Sequence, residues 1–272
     1  MLLDALHFEF MRNALVAGLL AGVICGILGT FIVVNRMVFL SGGIAHASYG
    51  GIGLAFFFGF PFLAGTLGFS ILSAALMTAV FLTAKDRADT FIGVLWAVGM
   101  AIGVILIDLS PGYKPNLMSF LFGSILAVSG SELWCLAGLC AITLFLTGYF
   151  YRDILAISYD DEFARLRGVP VYLLYFLFMG LVAVSIVFII RMAGLILVIA
   201  LLTIPPYIAE KYAGSLGRSM VLASFLGMIF NTCGLFIAYM KNLTSGAAIV
   251  MVAAAGFFLF MAVDFIEKIK SG

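Results

Sequence analysis

Three features of the sequence predict an all-α polytopic membrane protein. Hydrophobic residues make up 65% of the 272 residues and charged residues only 10%, whereas a soluble domain carries about a quarter charged residues. The hydrophobic residues form long continuous runs, not the two-residue alternation of a membrane β-barrel. Many of these runs approach ~20 residues, the length at which a helix crosses a bilayer. We therefore expect about eight to nine transmembrane helices in one domain that covers residues 1–272.

The apolar runs can be placed in order along the chain. Nine of them are long enough to span a bilayer, or nearly so. A further piece, residues 116–129 (NLMSFLFGSILAVS), is shorter and interrupted by Gly and Ser. It predicts a re-entrant or broken half-helix, which is tolerated at membrane depth only against protein or a water-filled cavity. The nine segments lie at 13–34, 43–60, 64–84, 91–109, 134–151, 171–190, 193–209, 219–240 and 246–265.

The distribution of charge orients the chain. With the N-terminus outside and nine spans, ten Lys and Arg residues lie on the cytoplasmic side and four outside, which together account for all 14. The net charge of +1, with no basic cluster, gives no indication of nucleic-acid binding. The four cysteines have no CxxC spacing and are expected to be small apolar core residues. The N-terminus has acidic residues and no small-residue cleavage site, so a removable signal peptide is not expected.

The longest polar stretch in the chain, residues 158–171 (SYDDEFARLRGVPV), predicts a short capped helix on the cytoplasmic side. Ser158 and Asp161 have the spacing of a capping box. Gly168 is a natural residue to end the helix, and Pro170 prevents its continuation. The simplest alternative is a solvated loop that joins two spans.

Charge and hydrophobicity within this stretch favour a docking element over a plain loop. Acidic residues fill the first turn and basic residues the last, as the helix dipole prefers. Asp161 and Arg165 stand four residues apart and can pair. Phe163 and Leu166 give the helix an apolar edge. The candidate docking residues are Asp160, Asp161, Glu162, Phe163, Ala164, Arg165, Arg167 and Gly168.

His46 is the leading candidate for an intramembrane site. The chain has only two histidines, and an ionisable side chain inside a membrane segment is by default a functional hypothesis. His46 lies in a Gly-rich segment and is flanked by Ser41, Ser48 and Tyr49. A pore or ligand role is favoured over an interfacial histidine bonded to a carbonyl. Asn231 lies in the middle of a later span and could line the same path, although a helix–helix hydrogen bond is the commoner role.

Four stretches together resemble one family, the ABC-3 permeases of ABC importers, which move zinc, manganese or iron. The resemblance covers nearly the whole chain in one order, and the set is specific although no single motif is decisive. The stretch DDEFARLRGVPV is similar to the family's coupling helix, with Ala164 and Gly168 at the expected positions, which places that helix at about 158–168. The four stretches are NALVAGLLAGVICGILGTFIVVNRMVFLSGGIAHASYGGIGLA, LMSFLFGSIL, DDEFARLRGVPV and GLILVIALLTIPPYIAEKYA.

The resemblance implies a multi-pass permease of a prokaryotic cytoplasmic membrane that forms a homodimer around the transport path. Each copy would rest its coupling helix on one of two cytoplasmic ATPase subunits, and an extracytoplasmic protein would deliver the metal. The chain has no GxxxxGK[ST] motif, so we expect no enzyme activity and no cofactor on this chain, with ATP and Mg²⁺ bound by the partner.

One departure from the family pattern concerns the metal site. Family members have an Asp four residues before the histidine, where this chain has Gly42, and often an Asp after Leu-Phe-Gly, where it has Ser124. His46 would then be a weak and transient metal ligand. Either the ion passes partly hydrated, or Ser41, Ser48, Tyr49 and backbone carbonyls help to bind it, or the cargo differs. Fewer oxygen ligands favour zinc over manganese.

Two alternative functions remain open from the sequence. The first is a permease for a metal chelate such as a siderophore, haem or cobalamin, which needs a wider and less polar cavity. The second is an ion-coupled secondary transporter, which predicts mid-membrane carboxylates and paired broken helices. Against it, the carboxylates near the membrane, such as Asp108, Glu210 and Asp264, fall near the ends of the predicted spans.

Overall fold

The computed structural model describes residues 7–84, 87–111, 123, 125 and 128–271, with side chains as far as residue 267. Within these residues the chain forms eleven α-helices and no strand, which confirms the predicted all-α class. The helices are α1 (Glu9–Val34), α2 (Val38–Phe58), α3 (Phe62–Thr83), α4 (Ala88–Leu109), α5 (Gly130–Tyr149), α6 (Tyr151–Tyr159), α7 (Asp161–Leu166), α8 (Val171–Ala193), α9 (Leu195–Tyr212), α10 (Leu216–Lys241) and α11 (Ser245–Ser271).

Eight of the described helices are long and apolar enough to cross a membrane. Among the long described helices, α2 falls outside this set. Its 21 residues are still enough to reach across the bilayer core at about 1.5 Å per residue. Its Gly, Ser and His residues lower its hydropathy. The prediction of eight to nine transmembrane helices is confirmed, and α2 accounts for the difference between the two numbers.

The helix ends fall into two groups, one at each end of the bundle. At one end, the turn after α1, the start of α4, the short helices α6 and α7 and the start of α8 surround a groove of about 600 Å³. At the other end, Arg191 near the end of α8 pairs with Glu132 at the start of α5, with 3.0 Å between Nε and Oε1. The charge count makes the first end cytoplasmic, and we call it the cytoplasmic end.

The connection between α4 and α5 starts and ends at the same end of the bundle. Most of the predicted half-helix at 116–129 lies outside the described residues, so it stays a prediction. Two of its described residues, Gly123 and Ile125, lie against the helix bundle. Gly123 has a φ of +53° and lies against Gly194 at the α8–α9 junction. Ile125 is buried and lies near Gly18 of α1.

Glycines on α1 allow that helix to pack closely against α10. A Cβ atom added to Gly22 would come within 2.8 Å of the backbone nitrogen of Met228, and one added to Gly26 would overlap the backbone of Ser224. Helices in lipid associate largely through such close packing, because lipid removes the hydrophobic driving force between them. The glycines at four-residue spacing along α1 therefore serve helix packing.

The short cytoplasmic helix differs from its prediction at its start. Ser158 is not the N-cap, because α6 continues through it as far as Tyr159. Asp160 is the cap, with extended backbone, and its Oδ1 accepts from the backbone nitrogens of Glu162 at 3.1 Å and Phe163 at 2.9 Å. A capping box does occur elsewhere in the described residues, between Ser129 and Glu132 at the start of α5, at the other end of the bundle.

The α1–α10 contact gives a first prediction. Gly22→Ala forces the two backbones apart and should destabilise the protein by about 1–3 kcal/mol, the usual cost of overpacking. Gly138→Ala on α5 is the matched control, because an added Cβ there meets nothing within 4 Å. The thermal midpoint of the purified protein in detergent should fall in the first variant only. Equal midpoints in the two variants would contradict the close contact.

Candidate functional site

A cavity of about 760 Å³ lies where the α1–α2 turn, α2, α4 and α9 meet, toward the cytoplasmic end. Its wall is mainly apolar and aromatic, with charged side chains from three different helices or turns. This volume falls in the range of small-molecule sites and exceeds that of a bare metal ion. The lining residues are Val33, Val34, Arg36, Val38, Phe39, Gly42, Asp89, Trp96, Ile199, Tyr207 and Glu210.

Gly42 opens this cavity on the side of α2. A Cβ added to Gly42 meets nothing within 4 Å, whereas one added to Gly50 would lie 2.8 Å from the carbonyl oxygen of Gly99. Gly51 is likewise closed, since its added Cβ would lie 2.6 Å from the Gly65 carbonyl oxygen. The Gly-rich run thus has two roles. Its later residues let α3 and α4 pack closely, and Gly42 leaves space.

The imidazole of His46 does not itself line the cavity, but it is fixed by contacts with two residues that do. Its Nδ1 lies 3.0 Å from the carbonyl oxygen of Gly42. Because a carbonyl oxygen only accepts, Nδ1 must donate, and in the neutral ring Nε2 then carries the lone pair. The ring stacks on Trp96 at 4.1 Å between centroids and 27° between planes. A metal-binding histidine is commonly oriented in this way, with one nitrogen donating to a carbonyl.

Trp96 is the residue of this site that sequence reasoning missed. It lies on α4, stacks on His46, and packs against Phe39 at 5.7 Å between ring centroids. Trp is typical of membrane interfaces, yet Trp96 falls well inside a predicted span. A tryptophan inside a span, away from the interface, was the sequence signal that could have marked Trp96 as part of a site.

The hydroxyl-bearing residues near His46 on α2 make their contacts with groups other than the imidazole. The Ser41 hydroxyl donates to the Val38 carbonyl at 2.9 Å, and the Ser48 hydroxyl donates to the Ala45 carbonyl at 2.6 Å. Both side chains are buried. Tyr49 is buried on another side of α2, in a cluster with Ile52 and Ile107. The structure therefore groups His46 with Trp96 and Gly42, not with these three hydroxyls.

Asn231 joins two helices away from the cavity. Its Nδ2 donates to the carbonyl oxygen of Gly18 at 2.8 Å, and the side chain is buried between α10 and α1. This is the helix–helix hydrogen bond that the sequence left open as the alternative, so the arrangement does not support a role in a pore.

The described residues contain no group of three or more His, Cys, Asp and Glu that could hold a metal ion. His46 therefore offers one protein ligand from this chain, with open space beside it at Gly42. A single imidazole would leave most coordination positions of a metal ion to water.

The helix α7 presents one side to the bundle and another to solvent. Ala164 is fully buried, whereas Phe163 is 50% and Leu166 is 87% exposed. Gly168 ends the helix at a φ of +82°, and Val169 donates its backbone N–H to the Ala164 carbonyl at 3.1 Å. The predicted apolar edge is therefore present and open to a partner.

Charged groups hold this exposed edge in place. Arg165 pairs with Asp161 at 3.5 Å between Nη2 and Oδ2, as predicted, and its Nη1 donates to the Tyr172 hydroxyl at 3.2 Å. Arg167 lies over the ring of Phe163 at 4.7 Å. These contacts are solvent-exposed and each is worth ~1 kcal/mol or less, so their effect is to orient the edge.

Comparison with known proteins extends the resemblance to whole chains. The family model described as the ABC 3 transport family matches residues 7–264. A membrane protein of Synechocystis, slr2045, is 48% identical over 261 residues, covering 96% of this chain and 93% of that protein. The manganese import system permease protein ScaB of Streptococcus parasanguinis is 33% identical over 253 residues, covering 93% and 90%.

A solved structure has the same fold. PsaBC from Streptococcus pneumoniae, determined in complex with Fab, superimposes with a TM-score of 0.84 at 33% identity, covering 95% of this chain and 93% of that one. The predicted localisation, a multi-pass protein of a prokaryotic cytoplasmic membrane, agrees with these bacterial relatives. The chain belongs to the ABC 3 transport family.

Proposed function

We propose that this chain is the transmembrane permease subunit of an ATP-driven importer for a divalent transition-metal ion. The observation that carries the proposal is the family match over residues 7–264, together with a relative that is named as a manganese import permease. The exposed apolar edge of α7 and the oriented imidazole beside an open cavity fit this function.

In this proposal the chain moves the ion and a partner hydrolyses ATP. Two copies of the chain form the path, and each rests α7 on a separate cytoplasmic ATPase that binds ATP and Mg²⁺. An extracytoplasmic metal-binding protein delivers the ion. Phe163 and Leu166 are exposed and would enter an apolar groove of the ATPase, while the paired Arg165 fixes the angle of the helix.

The imidazole of His46 is proposed to act as a transient ligand through Nε2. Its bond to the Gly42 carbonyl and its stack on Trp96 keep the ring oriented, so little rotational freedom is lost when a metal binds. Water supplies the remaining ligands. Zinc suits a nitrogen ligand with few oxygens, whereas the name of the Streptococcus relative favours manganese. Iron is the third metal to compare.

Metal uptake by proteoliposomes tests this function. The chain is co-expressed with the ATPase subunit that the proposal requires, and uptake of zinc, manganese and iron is compared with and without ATP. His46→Ala should lower uptake of the preferred metal about 10–100-fold, the range expected when the environment of a metal ligand is lost.

His7→Ala is the matched control, because His7 is the other histidine of the chain and lies before α1. Uptake by this variant should equal that of the wild type. Undiminished uptake by His46→Ala would remove the ligand role of His46 and leave the permease function standing. Uptake driven by an ion gradient without ATP would overturn the function itself.

The open space at Gly42 gives a further prediction. Gly42→Asp adds a carboxylate one helical turn from His46, at a position where an added Cβ meets nothing within 4 Å, and should tighten Mn²⁺ binding about tenfold, or about 1.4 kcal/mol. With Trp134→Phe as background, Trp96 is the remaining tryptophan of the two. Quenching of its emission by Mn²⁺ then reports binding.

Gly42→Asn is the control for this variant, because it fills the same space without the charge. It should leave the Mn²⁺ affinity near that of the background protein. Equal affinities for the Asp and Asn variants would contradict a metal site beside Gly42 and His46.

A further inference from the structure

We propose that Asn35 couples the ATPase-docking segment to the helix that carries His46, so that ATP hydrolysis is converted into metal transport through this side chain. The inference rests on the proposed function. Asn35 lies immediately after α1, in the turn that leads to α2, and it belongs neither to the cavity nor to α7.

The amide of Asn35 makes three hydrogen bonds, two of them to distant parts of the chain. Its Nδ2 donates to the Phe31 carbonyl at 2.8 Å and to the Ser158 hydroxyl at 3.1 Å. Its Oδ1 accepts from the Tyr175 hydroxyl at 3.1 Å. Both amide hydrogens and the carbonyl are therefore used, a combination that neither a carboxylate nor an apolar side chain can reproduce.

The two distant partners flank the docking helix in sequence. Ser158 lies in the last turn of α6, two residues before the Asp160 cap of α7. Tyr175 lies in the first turns of α8, which begins soon after α7 ends. A displacement of α7 by the ATPase would therefore pull on Asn35 from both sides.

On the other side, Asn35 is rigidly connected to the site. The turn after α1 is held by the backbone bond from Met37 to the Ile32 carbonyl at 2.8 Å. From Val38 the helix α2 is continuous to His46, a distance of about 12 Å at 1.5 Å per residue. Movement of the turn is then transmitted to Gly42 and His46 along an unbroken helix.

The surroundings of Asn35 allow its bonds to be exchanged. Asn35, Ser158 and Tyr175 all line the groove of about 600 Å³ at the cytoplasmic end, so water can replace a broken hydrogen bond at low cost. Hydrogen bonds that water can replace are able to exchange partners, which an element that transmits a conformational change requires.

The ratio of metal uptake to ATP hydrolysis in the reconstituted complex tests the inference. Asn35→Ala leaves Phe163 and Leu166 in place, so the ATPase should still dock and hydrolyse ATP near the wild-type rate. Metal uptake per ATP should fall about tenfold, within the range by which residues of a coupling network act. Asn35→Asp keeps the acceptor for Tyr175 but loses both donors, and should lie between wild type and Asn35→Ala.

Asn13→Ala is the matched control. Asn13 also donates to a distant backbone carbonyl, that of Val128 at 3.3 Å, but near the start of α1 at the opposite end of the bundle. It should keep the wild-type ratio. If Asn35→Ala fails to assemble, Tyr175→Phe and Ser158→Ala each remove one bond and should each lower the ratio by a smaller factor.

Two results would separate the failure of this inference from the failure of the proposed function. A wild-type ratio in the Asn35, Ser158 and Tyr175 variants, with uptake and hydrolysis unchanged or reduced together, would overturn the coupling role and leave the importer standing. A wild-type complex that shows no ATP-dependent metal uptake would overturn the proposed function.

Discussion

The close approach of helix backbones through glycine is the constraint on which this structure depends. In lipid, apolar side chains gain little by leaving their surroundings, so helices associate where small residues let them touch. Gly22 brings α1 against α10, and Gly50 and Gly51 bring α2 against α4 and α3. The second group also fixes the site, because it sets α2 at the distance from α4 at which His46 stacks on Trp96.

The elements that the proposed function uses lie toward the cytoplasmic end of the bundle. The cytoplasmic end holds α7, the polar groove and the hydrogen bonds of Asn35. The cavity reaches from this end to Gly42 and Trp96. In the proposed function an ATPase moves the protein from one side, which requires a docking element and an ion site joined by stiff parts. Here the helix α2 is the stiff part, and the turn before it is where force would be applied.

The parts of the fold that depend on local chemistry could be predicted from the sequence, and those that depend on distant contacts could not. Hydropathy placed the long helices, and Gly168 marked the end of α7 because few other residues accept its φ of +82°. The predicted start of α7 was wrong, because Ser158 belongs to α6, where its hydroxyl accepts a hydrogen bond from Asn35. Trp96 was missed and Ser41 was included for the same reason: which side chain faces His46 is set by packing between helices.

Site-specific crosslinking at α7 is the most direct test of this account, because every coupled step of the proposed function depends on an ATPase binding there. Leu166 is 87% exposed, and Leu166→Cys, with Cys135→Ser and Cys233→Ser as background, should crosslink to the ATPase in native membranes. Phe145→Cys, on an exposed side of α5, should give no such product. A crosslink at both positions or at neither would contradict docking through α7.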